Sequence, residues 1–193
     1  MKKALLFALL LLISLPDCFA QDSHTRGIFS IGIDGSFIGK DYDRYLMTGL
    51  FKNGIGGSLK IEVPVHPNFY ITATSGLSVF EATDQTKASI DHITASQYTT
   101  SESFGVLKVG VKCYTFKGLF MEIQAGGVFN SGKTVEFMTK GGVSAAYSAG
   151  IGYLFHNGIE LGARYELWKL DGSVDQMNFV AIRLAYAIKF PRR

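Results

Sequence analysis

The stretch Gly127-Val-Phe-Asn-Ser-Gly-Lys-Thr134 has the spacing G-x-x-x-x-G-K-[ST] of a loop that cradles nucleotide phosphates. That chemistry needs a buried strand before the loop and a helix after it, because the phosphates rest on the helix N-terminus. The following residues, TVEFMTKGGVSAAYS, are β-branched and broken at Gly141-Gly142, so no long helix is expected. A second candidate chemistry is a histidine activating a serine or a water, oriented by a third group. The histidines are His24, His66, His92 and His156, and His92, in Ser89-Ile-Asp91-His92, has a carboxylate and a hydroxyl close in sequence. No two His or Cys residues are spaced as metal ligands. These residues specify no catalytic, cofactor or metal site by themselves, so the elements that would position them decide their role.

The first element is the leader MKKALLFALLLLISLPDCFA. A positive start, an apolar run and a break at Pro16 predict a signal peptide over 1–20, cleaved before Gln21. Lipid attachment at Cys18 is the rival reading, with Asp17 where a small residue is usual. The remainder, 21–193, suits one domain, and its single cysteine, Cys113, excludes an internal disulfide. Past the leader no segment approaches a membrane-spanning helix. The net charge of +3 is small and looks unclustered, which does not point to nucleic acid, and export from the cytoplasm argues against a nucleotide ligand. Abundant glycine, aromatics at 13% and four prolines lean towards β structure.

Alternation confirms that leaning. In 178–190, Val180, Ile182, Leu184, Tyr186, Ile188 and Phe190 share one face, while Ala181, Arg183, Ala185, Ala187 and Lys189 share the other. The same period of two runs through 29–37, 55–65, 69–79, 107–114, 119–129, 143–155 and 159–168. Eight strands and no helix are therefore expected. Three connections are short: His66-Pro67-Asn68, Phe116-Lys117-Gly118 and His156-Asn157-Gly158, the last with an Asn-Gly pair to supply positive φ. The other four, 38–54, 80–103, 130–142 and 169–176, are longer. Short turns at one end and long loops at the other mark an up-and-down transmembrane β-barrel with its turns in the periplasm.

Alternation does not by itself say which face is outside, and a soluble ligand-binding barrel shares the period. The polar face carries Gly32, Gly110, Gly126, Gly150, Gly152, Gly162, Ala181 and Ala185 beside Asp34, Lys60, Glu62, Lys108, Lys112, Glu122, Glu160, Arg164, Glu166, Arg183 and Lys189. Glycine among near-balanced charges fits a crowded, paired lumen better than a solvated surface. The apolar face then meets lipid. Phe69, Phe155 and Phe190 at the turn side and Phe37 and Phe129 at the loop side are placed as interfacial girdles.

On this pattern the chain resembles the small eight-stranded outer-membrane β-barrel proteins of Gram-negative bacteria, the group of the OmpA transmembrane domain and OmpX. The segment Arg183-Leu-Ala-Tyr-Ala-Ile-Lys-Phe190 is similar to the terminal strand signal read by the barrel-assembly machinery. It departs in having Ala185 where glycine is usual and Pro191-Arg192-Arg193 after the Phe. The resemblance implies a bacterial outer-membrane location, with outer-membrane lipid and lipopolysaccharide as surroundings. Some barrels of this size resemble lipid A acylation or deacylation enzymes, but His24 falls in the N-terminal tail, His66 and His156 in turns, and His92 in a polar loop.

The expected function is non-enzymatic: surface interaction, adhesion or envelope integrity, carried by loops 38–54 and 80–103 toward an extracellular partner. In the first loop, Tyr42, Tyr45, Leu46, Met47, Leu50 and Phe51 either meet that partner or pack on one another as strand extensions. A narrow or gated channel for small solutes is the alternative, with a secreted ligand-binding barrel third.

Overall fold

In the computed structural model, which describes residues 26–38, 51–82, 101–130, 143–169 and 176–190, eight strands close into one barrel. They are β1 (Ile28–Phe37), β2 (Phe51–His66), β3 (Phe69–Ala82), β4 (Ser101–Phe116), β5 (Leu119–Asn130), β6 (Val143–Leu154), β7 (Ile159–Trp168) and β8 (Met177–Lys189). Each strand pairs antiparallel with the next in sequence, and β8 returns to β1 to shut the ring. Closure satisfies every strand edge, which a wall immersed in hydrocarbon requires.

The two faces sort as alternation demands. Ile33, Ile55, Val109, Ile151 and Leu184 are exposed on the outer wall, while Lys60, Glu62, Lys108, Lys112 and Glu160 are buried within. A soluble protein would place these the other way round. Outward-facing Phe37 and Phe129 near the loop end, and Phe69, Phe155 and Phe190 near the turn end, bracket the apolar band as expected.

Turn chemistry sets the register at the closed end. In the β4–β5 turn both central residues, Lys117 (φ 37) and Gly118 (φ 98), lie in the left-handed region, the requirement of a two-residue hairpin whose twist matches its strands. The β6–β7 turn differs from the expectation. Only Gly158 (φ 89) is left-handed there, and Asn157 instead accepts the Ile159 backbone N–H on its Oδ1 at 3.1 Å. Pro64 interrupts no β1–β2 hydrogen bond, because that pairing stops at Ile28 opposite Glu62.

Strands β2, β3 and β4 rise further at the loop end than alternation alone indicated. Phe51 begins β2, Phe80 and Glu81 continue β3, and Ser101 to Ser103 begin β4. The cause is packing: Phe51, Phe80 and Phe104 are inward-facing and buried, so the strands continue as far as there is core to cover. β6 stops at Leu154, one residue before Phe155. Residues 1–25, 39–50, 83–100, 131–142, 170–175 and 191–193, with the leader and most of the long connections, lie outside the described residues.

An arginine on the outer wall must meet hydrocarbon. Val109→Arg or Leu184→Arg should lower unfolding stability in lipid vesicles by about 2 to 4 kcal/mol. Asn53→Arg, exposed at the loop rim, should stay within about 0.5 kcal/mol. Urea titrations of the folded fraction measure both, and equal losses would contradict the assignment of the wall.

Candidate functional site: the filled lumen beneath the loop rim

Inward positions of every strand converge on a ladder of charges. Toward the turn end, Glu160 of β7 is 1% exposed and accepts from Lys60 Nζ and Arg183 Nη1 on one oxygen and from Lys112 Nζ on the other, each at 2.8 Å. Lys112 also donates to Glu62 at 2.7 Å, and Lys60 to Glu122 at 3.2 Å. Three cations thus face three carboxylates. Toward the loop end, Glu166 accepts from Lys108 Nζ and Arg164 Nε, both at 2.5 Å, and Arg164 Nη2 reaches Asp34 at 3.0 Å. This second group is two against two.

Neutral groups join the two. Ser58 donates to Asp34 at 2.5 Å and accepts from Arg183 Nε at 3.0 Å. Gln124 donates to Glu122 and to Thr74, and Lys108 donates to Ser148. All eight strands thereby contribute to one polar network. Such a network is tolerated only because its charges are matched, since an unpaired ion at this depth is costly.

Glycines make the space. A Cβ on Gly32 would lie 2.7 Å from the Ala185 Cβ and 3.1 Å from the Arg183 guanidinium carbon. One on Gly54 would lie 2.7 Å from the Phe80 ring. The glycine-rich inner face is thus the counterpart of its long charged and aromatic residues.

Aromatic clusters close the lumen above and below the ladder. At the loop end Phe51, Phe80, Phe104, Trp168 and Phe179 pack edge to face, with centroids 4.8 Å apart for Trp168–Phe179 and 5.8 Å for Phe80–Trp168. The Trp168 indole N–H donates to Glu166 at 3.2 Å, tying this plug to the charges. At the turn end Ile28, Tyr70, Tyr114, Phe120 and Leu154 form a second plug, and Lys112 Nζ sits 3.7 Å from the Phe120 ring centroid. Two spaces beside the ion pairs, one lined by Lys60, Glu122 and Arg183 and one by Asp34, Lys108 and Trp168, measure about 20 Å³ each. Each holds about one water.

Among the described residues, those singled out by their chemistry do not assemble. His66 ends β2 and His156 lies in the β6–β7 turn, both exposed and apart, and the ring contact of His66 is with Phe69. His24, and His92 with Ser89 and Asp91, lie outside the described residues, as do Tyr42, Tyr45, Leu46, Met47 and Leu50. Gly127 to Asn130 finish β5, an antiparallel wall strand with Phe129 facing outward, which is not the setting of a phosphate loop. Residues 131–134 are not described. Phe51 is not on the loop surface but in the upper plug. Lys189, counted by parity among the lumen charges, is exposed because β8 ends there at the barrel mouth. Glu102, which parity places inward, is buried near the loop end.

No family model and no curated protein sequence matches the chain. Solved structures do. The crystal structure of Ail, the attachment invasion locus protein of Yersinia pestis, is 15% identical and covers 86% of this chain and 100% of its own, with a TM-score of 0.55. The backbone structure of Yersinia pestis Ail in a phospholipid bilayer nanodisc is 17% identical, with the same coverage and TM-score. Ail in complex with the heparin analogue sucrose octasulfate is 15% identical over 84% of this chain and 98% of its own, with a TM-score of 0.50. The chain has the fold of the small eight-stranded outer-membrane barrels.

Substitutions in the ladder and the lower plug should separate matched from unmatched polar groups. Glu160→Gln leaves three cations facing two carboxylates and should cost about 3 to 5 kcal/mol in vesicle unfolding. Tyr70→Phe removes a buried hydroxyl that has no hydrogen-bond partner among the described residues and should be neutral or stabilising. A large loss from Tyr70→Phe, or none from Glu160→Gln, would contradict this description.

Proposed function

We propose that the protein is a non-enzymatic barrel of a bacterial outer membrane that acts at the cell surface through its loop face. The observation that carries this reading is the filled lumen: two aromatic plugs with a matched charge ladder between them leave no room for a solute. The outer wall is committed to lipid, and the described turns are short. The loop face is what remains for recognition, and binding residues commonly sit on loops held by a rigid scaffold. The attachment and invasion named for the structural neighbour support a surface role of this kind.

Export by residues 1–20, and assembly by machinery that reads Arg183 to Phe190, belong to the same proposal. The sulfated ligand bound by that neighbour is not carried over. Between β3 and β4 the sequence holds Asp84 and Asp91 against Lys87 alone, with exposed Glu81 at the end of β3, and loop 38–54 mixes Lys40, Arg44 and Lys52 with Asp41 and Asp43. A polyanion finds little to bind there. A protein partner meeting Tyr42, Tyr45 and Met47 fits the composition better, with the acyl chains of lipopolysaccharide against the apolar wall below.

The test is to shorten 39–50 and 83–100 to tight hairpins and display the full and shortened chains on cells. Both should keep the faster unheated migration on gels that marks a closed barrel. Attachment of the cells to immobilised proteins, other cells and plastic should fall to that of cells without the chain. Undiminished attachment by the shortened form would overturn the loop assignment.

A further inference from the structure

The fold sorts the scattered charges of the sequence into a ring at one end. Around the turn end, exposed Arg26 and Lys189 flank the β1–β8 seam, His66 closes β2, Lys117 occupies the β4–β5 turn and His156 the β6–β7 turn. Every corner of that rim therefore carries a basic side chain. Among the described residues no carboxylate is exposed there: Glu62, Glu122 and Glu160, the acids toward this end, face inward and are held by Lys60, Lys112 and Arg183. The loop rim is mixed instead, with exposed Lys52 and Lys169 beside Glu81.

Depth identifies the partner. Exposed Phe69, Phe116, Tyr153, Phe155 and Phe190 form the aromatic girdle at the same end, the level at which such rings meet lipid headgroups. Lys117 Nζ lies 5.2 Å from the Phe116 centroid, and the Phe190 backbone N–H donates to the Gly27 carbonyl at 2.9 Å, holding Arg26 and Lys189 beside the girdle. We propose that Arg26, Lys117 and Lys189 form a collar that selects anionic phospholipid headgroups in the leaflet facing the turns. An acidic protein would call for cations gathered on one side. These stand at one depth on opposite sides of the ring, Arg26 and Lys189 at the β1–β8 seam and Lys117 at the β4–β5 turn, so that both sides face the surrounding headgroups. The attraction is between exposed charges and therefore screens with salt. The inference rests on reading the chain as a membrane barrel.

The experiment uses the full chain refolded in phosphatidylcholine vesicles containing trace spin-labelled phosphatidylglycerol or spin-labelled phosphatidylcholine. The motionally restricted spectral fraction gives the relative affinity of the wall for each. At low salt phosphatidylglycerol should be preferred about threefold or more, falling toward parity at high salt. The variant R26Q/K117Q/K189Q should lose the preference, and K52Q/K169Q at the other rim should keep it. No preference in the wild type, or one that survives the triple substitution or high salt, overturns the collar. Should the triple variant fail to fold, the salt dependence of the wild type decides. Gel migration and protease protection in the same vesicles report insertion separately. A chain that does not insert therefore overturns the membrane reading, and an inserted chain without selectivity overturns the collar alone.

Discussion

Glu160 stands almost wholly buried between Lys60, Lys112 and Arg183, and no member of this group could move without leaving its partners uncompensated where water is scarce. Its four residues come from β2, β4, β7 and β8, so their pairing links opposite sides of the ring. Slipping any of these strands by one residue would send a charge to the lipid face and an aliphatic side chain inward. The matching of charge within the lumen and the apolarity of the outer wall are therefore one constraint seen from two sides. Apolar side chains fill the interior only at its two plugs, so ion pairs and edge-to-face rings take the place of one continuous hydrophobic core.

Much else follows from this crossing. Long inward side chains need room, which Gly32 supplies for Arg183 and Gly54 for Phe80. The plugs confine the charges to the middle of the barrel, and the Trp168 indole bonds to Glu166 across the boundary. With acids drawn inside, the turn rim is left basic and the loop rim mixed. A lumen filled in this way cannot double as a binding cavity, so whatever the protein recognises must lie outside it. The proposed recognition at the loops and the proposed lipid selection at the turn rim both take the barrel as their rigid support.

Strand number was legible in the sequence because it depends on a period of two, which Val180 to Phe190 and Ile159 to Trp168 carry without interruption. Strand order followed from the alternation of short and long connections, and facing from the glycines and near-balanced charges of the polar face. Pairing was not legible. The near balance of charges foretold neutrality, but nothing local in sequence says that Lys60 meets Glu160, with |i−j| of 100, and not another acid. Parity also cannot say where a strand stops. It carried Lys189 into the lumen although β8 ends there, and it left Phe51, Phe80 and Glu102 among the loops although β2, β3 and β4 continue through them. Following inward parity past Phe104 and Phe179 would have marked the upper plug. The basic rim was hidden for another reason: its members are far apart in sequence and meet only because turns and termini share one end of the barrel.

Closure of the lumen is the claim on which the functional reading depends, and ionic current across a planar bilayer tests it directly. With the wild-type chain inserted and its loops intact, the account predicts no steady conductance steps above the bare membrane in molar salt, because each aromatic plug alone blocks the path. Regular, reproducible ohmic steps from the wild type would contradict it, and would move the function from the loop face into the lumen.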